Sequence, residues 1–154
     1  MNIRFATKGD IELISKLFTE FYAYNAMQQP QYYVAAKESG KYPDAVIDSK
    51  DGDIIVAAVD EGIIVGFIHI EEDKTPPYPS IVPHKFACIV DFIVAEQHRK
   101  SGIGRLLLEE AKLWARSRQL EYLELMVLEN NEVGRNFYER ENFSTVSQTM
   151  RLDF

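Results

Sequence analysis

The octapeptide "HRKSGIGR", His98 to Arg105, joins the apolar run "FACIVDFIV" to the amphipathic run "RLLLEEAKLWA". The first run reads as a strand and the second as a helix over Gly102 to Arg118. A turn so placed lies at the carboxyl end of a strand and the amino end of a helix. There the N–H groups point outward unpaired and the helix dipole favours an anion. Gly102 and Gly104 carry no Cβ, so an anionic oxygen can approach the main chain closely at both. Arg99, Lys100 and Arg105 bring positive charge to a chain of net charge -7. Residue types and spacing together predict a phosphate-binding turn.

Several folds use that physics, and details separate them. A dinucleotide fold wants Gly-x-Gly-x-x-Gly, and its third glycine position is Leu107 here; the Gly-x-x-x-x-Gly-Lys-Ser/Thr loop is absent. What stands is Arg99-x-x-Gly102-x-Gly104. A second group follows the next strand, in "NNEVGRNFYERENF". Asn130 and Asn131 sit where a helix begins, and either can cap it. Tyr138 comes seven residues after Asn131, two turns along the same face, so its hydroxyl and the helix start face one cleft. Val133 and Phe137, one turn apart, read as core. Tyr138 taken alone reads rather as a half-buried ring with a satisfied hydroxyl.

The elements that position these residues are readable from periodicity. "MNIRFA" alternates as a first strand. Thr7, three residues before Asp10, starts a helix with apolar Ile11, Ile14, Leu17, Phe18, Phe21 and Tyr22 at helical spacing. "QYYVAAKESG" reads as a short helix ended by Gly40. "DIIVAAVD" and "IIVGFIHIEE" flank Glu61 and Gly62 as a hairpin. "DKTPPYPSIVPH" holds four of the six prolines and is a loop. "LEYLELMVL" is a strand, Glu132 to Arg140 a helix, and "STVSQTMRLDF" a last strand. The strand ending at Val94 and the one starting near Leu120 are joined by a helix, so they run parallel in one sheet. The chain reads as one α/β domain over residues 1–154.

Composition sets the bounds. A chain of 154 residues with 46% apolar and 27% charged residues has the make-up of an ordinary globular protein. A net charge of -7 argues against broad duplex nucleic-acid binding, which needs a basic face. No apolar run approaches a spanning helix and "MNIRFATKGD" lacks a secretion signal, so a cytoplasmic protein without a membrane partner is expected. Cys88 is the single cysteine and sits in an apolar run, where a packing role is expected over a nucleophilic one. His69, His84 and His98 show no metal spacing, and no metal is expected.

With these residues in view, the sequence resembles the GNAT superfamily of N-acetyltransferases. Arg99-x-x-Gly102-x-Gly104 is similar to its first motif, Arg/Gln-x-x-Gly-x-Gly/Ala. Asn131, Gly134, Tyr138 and Phe143 match the spacing of its second. One departure is Asn142 where the family often has glycine, and Asn tolerates the left-handed conformation a helix end needs. The resemblance implies a mixed α/β GNAT fold: a central, mostly antiparallel sheet whose fourth and fifth strands run parallel and splay apart, with flanking helices. It also implies acetyl-coenzyme A as co-substrate. Its pantetheine arm would pair with backbone groups of Phe92, Ile93 and Val94. The pyrophosphate would rest on the N–H groups of Arg99, Lys100, Ser101, Gly102, Ile103 and Gly104, with Arg105 nearby. Asn131 and Phe137 would line the far wall, and Tyr138 would approach the thioester sulfur.

That reaction, as the resemblance implies it, assigns further jobs. The acceptor amine, with a reference pKa of about 10.4, must lose a proton before it attacks. The tetrahedral oxyanion needs a donor, for which a backbone N–H of Phe92 to Val94 is the candidate. The departing thiolate takes a proton from Tyr138. Asp91 is the candidate base: alternation puts it with Ile93 on one strand face and Phe92 with Val94 on the other. If that face is solvated, Asp91 is only a surface charge. His69, Glu71 and Glu72 are rivals, as is a water chain. The segment "AYNAMQQPQYYVAAKESGKYP" and the proline-rich loop are the acceptor walls, with Tyr22, Tyr24, Tyr32, Tyr33, Tyr42 and Tyr78 available to a small-molecule or peptide amine. Two other readings stay open: a coenzyme-binding regulatory module without catalysis, and a binder of another phosphate-bearing nucleotide. A homodimer through edge pairing of the last strand is a further expectation.

Overall fold

The computed structural model of the protein describes residues 1–37 and 42–154. Strand β1 (Asn2–Phe5) leads through a 3-10 turn at Lys8–Asp10 into α1 (Ile11–Gln28), and α2 (Tyr42–Ile47) precedes the hairpin of β2 (Gly52–Val59) and β3 (Ile63–Lys74). Then come β4 (Lys85–Val94), α3 (Ile103–Ser117), β5 (Leu123–Leu125) and α4 (Glu132–Arg140). The strands lie in chain order in one sheet. Neighbours are antiparallel except β4 and β5, which are parallel. This is the mixed α/β architecture that the sequence pattern implies.

The start of the chain is tied by one carboxylate. Asp10 accepts both Arg4 guanidinium hydrogen bonds at 2.7 Å and the Thr7 N–H and hydroxyl at 2.8 and 2.9 Å. That bidentate pair fixes β1 against the start of α1, and Arg4 holds the Asp10 carboxyl well below the usual carboxylate range.

Apolar side chains fill both faces of the sheet. On one face, Ile55, Ile68, Ile70, Ala87 and Ile89 meet Leu107, Leu108, Ala111 and Trp114 of α3. On the other, Ile54, Val56, Phe67 and Ile93 meet Ile14, Leu17 and Phe18 of α1 and Val46 of α2. The helical spacing in α1 thus marks the core side, with Phe21 and Tyr22 packed at its margin.

Strand β4 changes phase midway. Ile70 pairs with Ile89 and His69 with Asp91, which leaves Val90 as an extra residue. Before this bulge Ala87 and Ile89 point to the α3 side; after it Phe92 and Val94 do, and Ile93 joins the α1 side. Asp91 therefore faces α1 and α2, opposite to Ile89 two residues earlier.

Four expectations are corrected. In "QYYVAAKESG", residues 31–37 form a turn and then no helix, and residues 38–40 lie outside the described residues; the helix comes at Tyr42–Ile47, with Pro43 in its first turn where a missing N–H costs nothing. The strand in "LEYLELMVL" is reduced to Leu123–Leu125, because pairing with β4 ends at Ile89 and Leu125. "STVSQTMRLDF" forms no strand. Its alternating apolar residues Val146, Met150, Leu152 and Phe154 are all at least 77% exposed, and alternation specifies a strand only where an apolar face covers it. Val133 is 65% exposed rather than core.

Candidate active site

The turn after β4 is built by positive backbone angles. Lys100 has φ 60 and Gly102 φ 87. A Cβ on Gly102 would meet nothing within 4 Å, so the position is left open by shape and demands glycine by conformation. Gly102 begins α3 without a side-chain cap, which leaves the first N–H groups of the helix to an outside acceptor. Ile103 is buried in the core against α3's own apolar face. Gly104 lies against Phe137 and Phe92, and a Cβ there would stand in ordinary contact at 3.5 and 3.7 Å. Lys100, Ser101 and Arg105 are exposed around the turn.

Arg99 differs from its basic neighbours. Its Nε donates to the Val94 carbonyl at 2.9 Å and its Nη2 to Glu20 at 3.1 Å, and the guanidinium lies 5.0 Å over the Tyr24 ring. Glu20 also accepts the Glu96 N–H at 2.8 Å. Arg99 is thus a staple from α1 to the end of β4. The Ala95 N–H donates to Val65 across β3, so the trans peptide turns the Val94 carbonyl to the opposite edge, where Arg99 takes it.

That opposite edge is where the sheet splits. β5 pairs with β4 only from Ala87 to Ile89, while Asp91 to Val94 stay paired with β3. The far side of the split is the start of α4. Asn131 caps it, accepting the Gly134 N–H at 2.9 Å, and the same oxygen accepts the Tyr24 hydroxyl at 3.1 Å. A Cβ on Gly134 would fall 2.6 Å from the Asn131 amide, so a larger residue there would have to displace the cap. Phe92, Phe137, Tyr138 and Phe143 form a ring cluster with centroids 5.4 to 6.4 Å apart. Asn142, at φ 68, ends the helix in the left-handed conformation expected of it. Burial pushes the Tyr138 hydroxyl up from its ordinary value, and it makes no hydrogen bond to a described residue. It is a protonated donor with no described acceptor.

Asp91 approaches the same end of β4 from the other face. Tyr42 donates to its Oδ2 at 2.9 Å and also contacts Nδ1 of His69. His69 Nδ1 lies 3.5 Å from the same Oδ2, and its Nε2 is 2.9 Å from Glu71. The His69 side chain is fully buried, that of Asp91 is 15% exposed and that of Glu71 is 47% exposed. Desolvation pushes the Asp91 carboxyl up to about 6, with Glu71 adding and His69 opposing. Burial lowers His69 from its ordinary value against the pull of Glu71 and Asp91. Asp91 is therefore not a solvated surface charge.

The remaining candidates scatter. Glu72 lies near Arg118 and Lys85, at 3.6 and 3.9 Å, outside this cluster. Tyr78 is 63% exposed in the proline loop, and Tyr32 bonds Asp153. Cys88 is half-buried, with its thiol pushed up by burial. Among the described residues no group of His, Cys, Asp and Glu can hold a metal ion, and no helix is long and apolar enough to cross a membrane. The sequence reading missed Glu20 as the anchor of Arg99 and the Tyr24 bond to Asn131. Both join α1 to residues far along the chain, and no local pattern marks such pairs.

The geometry has counterparts among known proteins. The profile of the Acetyltransferase (GNAT) family matches residues 12–143. A tetramutant of the BH1408 protein from Bacillus halodurans is 25% identical, with TM-score 0.94 over 100% of both chains. A putative acetyl transferase from Pyrococcus furiosus shares the fold at 22% identity and TM-score 0.76, covering 99% of both chains. So does the aminoglycoside N-acetyltransferase AAC(6')-Iy in complex with CoA, at 11% identity and TM-score 0.75, covering 99% of this chain and 98% of that one. No curated protein matches. The match over residues 12–143 joins the glycine turn, the split sheet and the Asn131 to Phe143 helix in one unit, and the chain belongs to the GNAT acetyltransferase family.

Proposed function

We propose that this chain is an N-acetyltransferase of one domain that moves an acetyl group from acetyl-coenzyme A to a primary amine, by direct attack in a ternary complex. The observation that carries the reading is the uncapped turn at Lys100 to Gly104, bare of side chains at Gly102 and Gly104, beside a β4 edge that β5 leaves after Ile89. An extended phosphorylated ligand suits that pair of features, since one offers N–H groups to an anion and the other a strand edge to an amide-bearing arm. The CoA complex of an aminoglycoside acetyltransferase with the same fold supports the choice.

The co-substrate supplies the activated acyl group. The N–H groups from Arg99 to Gly104 hold the pyrophosphate, with Lys100, Ser101 and Arg105 around it. Phe92 and Val94 offer their main chain to the arm, less the Val94 carbonyl that Arg99 occupies, while Ile93, like Ala95, turns its main chain to β3. Asn131 and Phe137 form the wall beyond. A main-chain N–H of Phe92 or Val94 steadies the oxyanion. Asp91 takes the amine proton, and Tyr138, kept protonated by burial, donates at the leaving sulfur. Holding both substrates in line supplies much of the acceleration. We read the protein as cytoplasmic and homodimeric, without a nucleic-acid or membrane partner.

The test has two parts. Titration calorimetry with acetyl-coenzyme A, ATP and NAD separately is expected to give heat only with the first. An amine panel followed by free-thiol release then reports transfer and acceptor class together. Binding without release on any amine would leave the coenzyme-binding module as the better reading, and no heat with the coenzyme would remove both.

A further inference from the structure

Tyr42, His69 and Glu71 lie outside both sequence motifs, yet they form one chain of contacts ending on Asp91. We propose that Tyr42 and His69 are positioning residues of the acceptor site: they pin Oδ2 of Asp91, keep Oδ1 for the incoming amine, and share one proton with the carboxylate. This inference rests on the acetyltransferase reading above.

Hydrogen accounting leads there. His69 is fully buried and faces the Glu71 carboxylate at 2.9 Å, so Nε2 carries the hydrogen of that bond and Nδ1 is turned to Tyr42. Tyr42 has one hydrogen and two acceptors in reach, Nδ1 of His69 and Oδ2 of Asp91. One further proton completes the chain, and two places can hold it. On Asp91, it bonds the Tyr42 oxygen while Tyr42 donates to His69. On His69 Nδ1, it bonds the Tyr42 oxygen while Tyr42 donates to ionised Asp91. Passage between the two forms balances: an O–H bond on Asp91 breaks as one forms on Tyr42, and the original Tyr42 O–H breaks as an N–H forms on His69. Loss of that proton leaves the base: Asp91 ionised, Tyr42 donating to its Oδ2, and His69 neutral, as burial of the imidazole favours.

The geometry also orients the carboxylate. Oδ2 takes the contacts of Tyr42 and His69, while Oδ1 makes no hydrogen bond to a described residue. The bulge at Val90 is what turns Asp91 to this face at all. Among the described residues, the titratable groups facing Asp91 are Tyr22 from α1, Tyr42 from α2, and His69 and Glu71 from β3. Glu71, half exposed, holds His69 from the solvent side.

The experiment compares wild type with Tyr42→Phe and His69→Gln in two readouts: the acidic limb of kcat/KM for a primary amine, and the carbon-13 titration of the Asp91 carboxyl. Each substitution removes support for ionised Asp91, so both midpoints are expected to move upward by roughly one pH unit, with KM for acetyl-coenzyme A unchanged. Tyr42→Phe keeps the ring and serves if His69→Gln does not fold. A Tyr42 that only packs would lower thermal stability and rate but leave the midpoints in place, and unmoved midpoints in folded Tyr42→Phe overturn the inference. Acetyl transfer with an unmoved midpoint defeats this inference alone. A shifted titration with no transfer to any amine removes the acceptor role together with the acetyltransferase reading.

Discussion

Asp91 carries opposite consequences for activity and stability, and both follow from its burial. Its carboxyl is pushed up to about 6 from 3.8, so the folded chain binds a proton there that the unfolded chain has already lost. Stability from this group is therefore present below the unfolded value and lost as pH rises through the folded one. Asp91→Asn keeps an acceptor for Tyr42 and removes the buried charge. At pH 7.5 it is expected to be more stable by about 2 kcal/mol, a melting point higher by roughly 4–8 °C, with the gain gone near pH 4. The same variant is expected to turn over about 100-fold more slowly, because the amine must lose its proton without a positioned base. Melting curves at the two pH values and thiol release check both signs; a variant less stable at pH 7.5 contradicts the burial argument. Tyr138→Phe separates the acid from the base. It leaves the ring cluster intact and is expected to cost about 10- to 100-fold in turnover with coenzyme affinity unchanged. Full turnover in that variant sinks the acid assignment.

At the scale of elements, the turn into α3 is the most exposed part of the proposal. Gly102→Ala puts a Cβ at φ 87, a strain of about 1 kcal/mol, into space where no protein atom lies within 4 Å. Coenzyme affinity is expected to fall about 10-fold by calorimetry, well beyond what the strain does to the melting curve, if an anion approaches that main chain. Equal affinity would place the pyrophosphate elsewhere. This turn was legible in the sequence because everything it needs is local: a strand, two glycines and an amphipathic helix within one stretch. The hairpin of β2 and β3 and the parallel β4 and β5 were legible for the same reason. The bulge at Val90 was not. No glycine or proline marks it, and "FACIVDFIV" reads as unbroken strand; only pairing with β3 reveals that Ile89 and Asp91 face opposite sides. Nor was the environment of Asp91 legible, because Tyr42 and His69 come from 49 and 22 residues away. A charged residue in a strand is ambiguous until its face is known.

At the scale of the molecule, the misread last strand is the most informative failure. Its alternation is genuine, since Val146, Met150, Leu152 and Phe154 fall at even spacing, and such a pattern specifies a strand only where a partner edge and an apolar face exist. In the single chain those four residues are 77% to 115% exposed. Tyr32 holds the tail, by its bonds with Asp153 and the Arg151 guanidinium 3.7 Å over its ring. β5 meanwhile ends the sheet with three residues and a free outer side, and Met126 beside it is 85% exposed. A strand without an edge and an edge without a strand, on the same chain, suit an isologous pairing in which each copy supplies what the other lacks. The full chain is therefore expected to run in size-exclusion light scattering at twice its 17.7 kDa mass. Met150→Asp with Leu152→Asp is expected to return it to the mass of one chain, because two buried charges would cost several kcal/mol at such an interface. The double variant should retain coenzyme binding, since Tyr138, Asn131 and the α3 turn all precede the tail. A full chain that runs at 17.7 kDa across micromolar concentrations would show instead that the apolar positions of the tail are simply solvated.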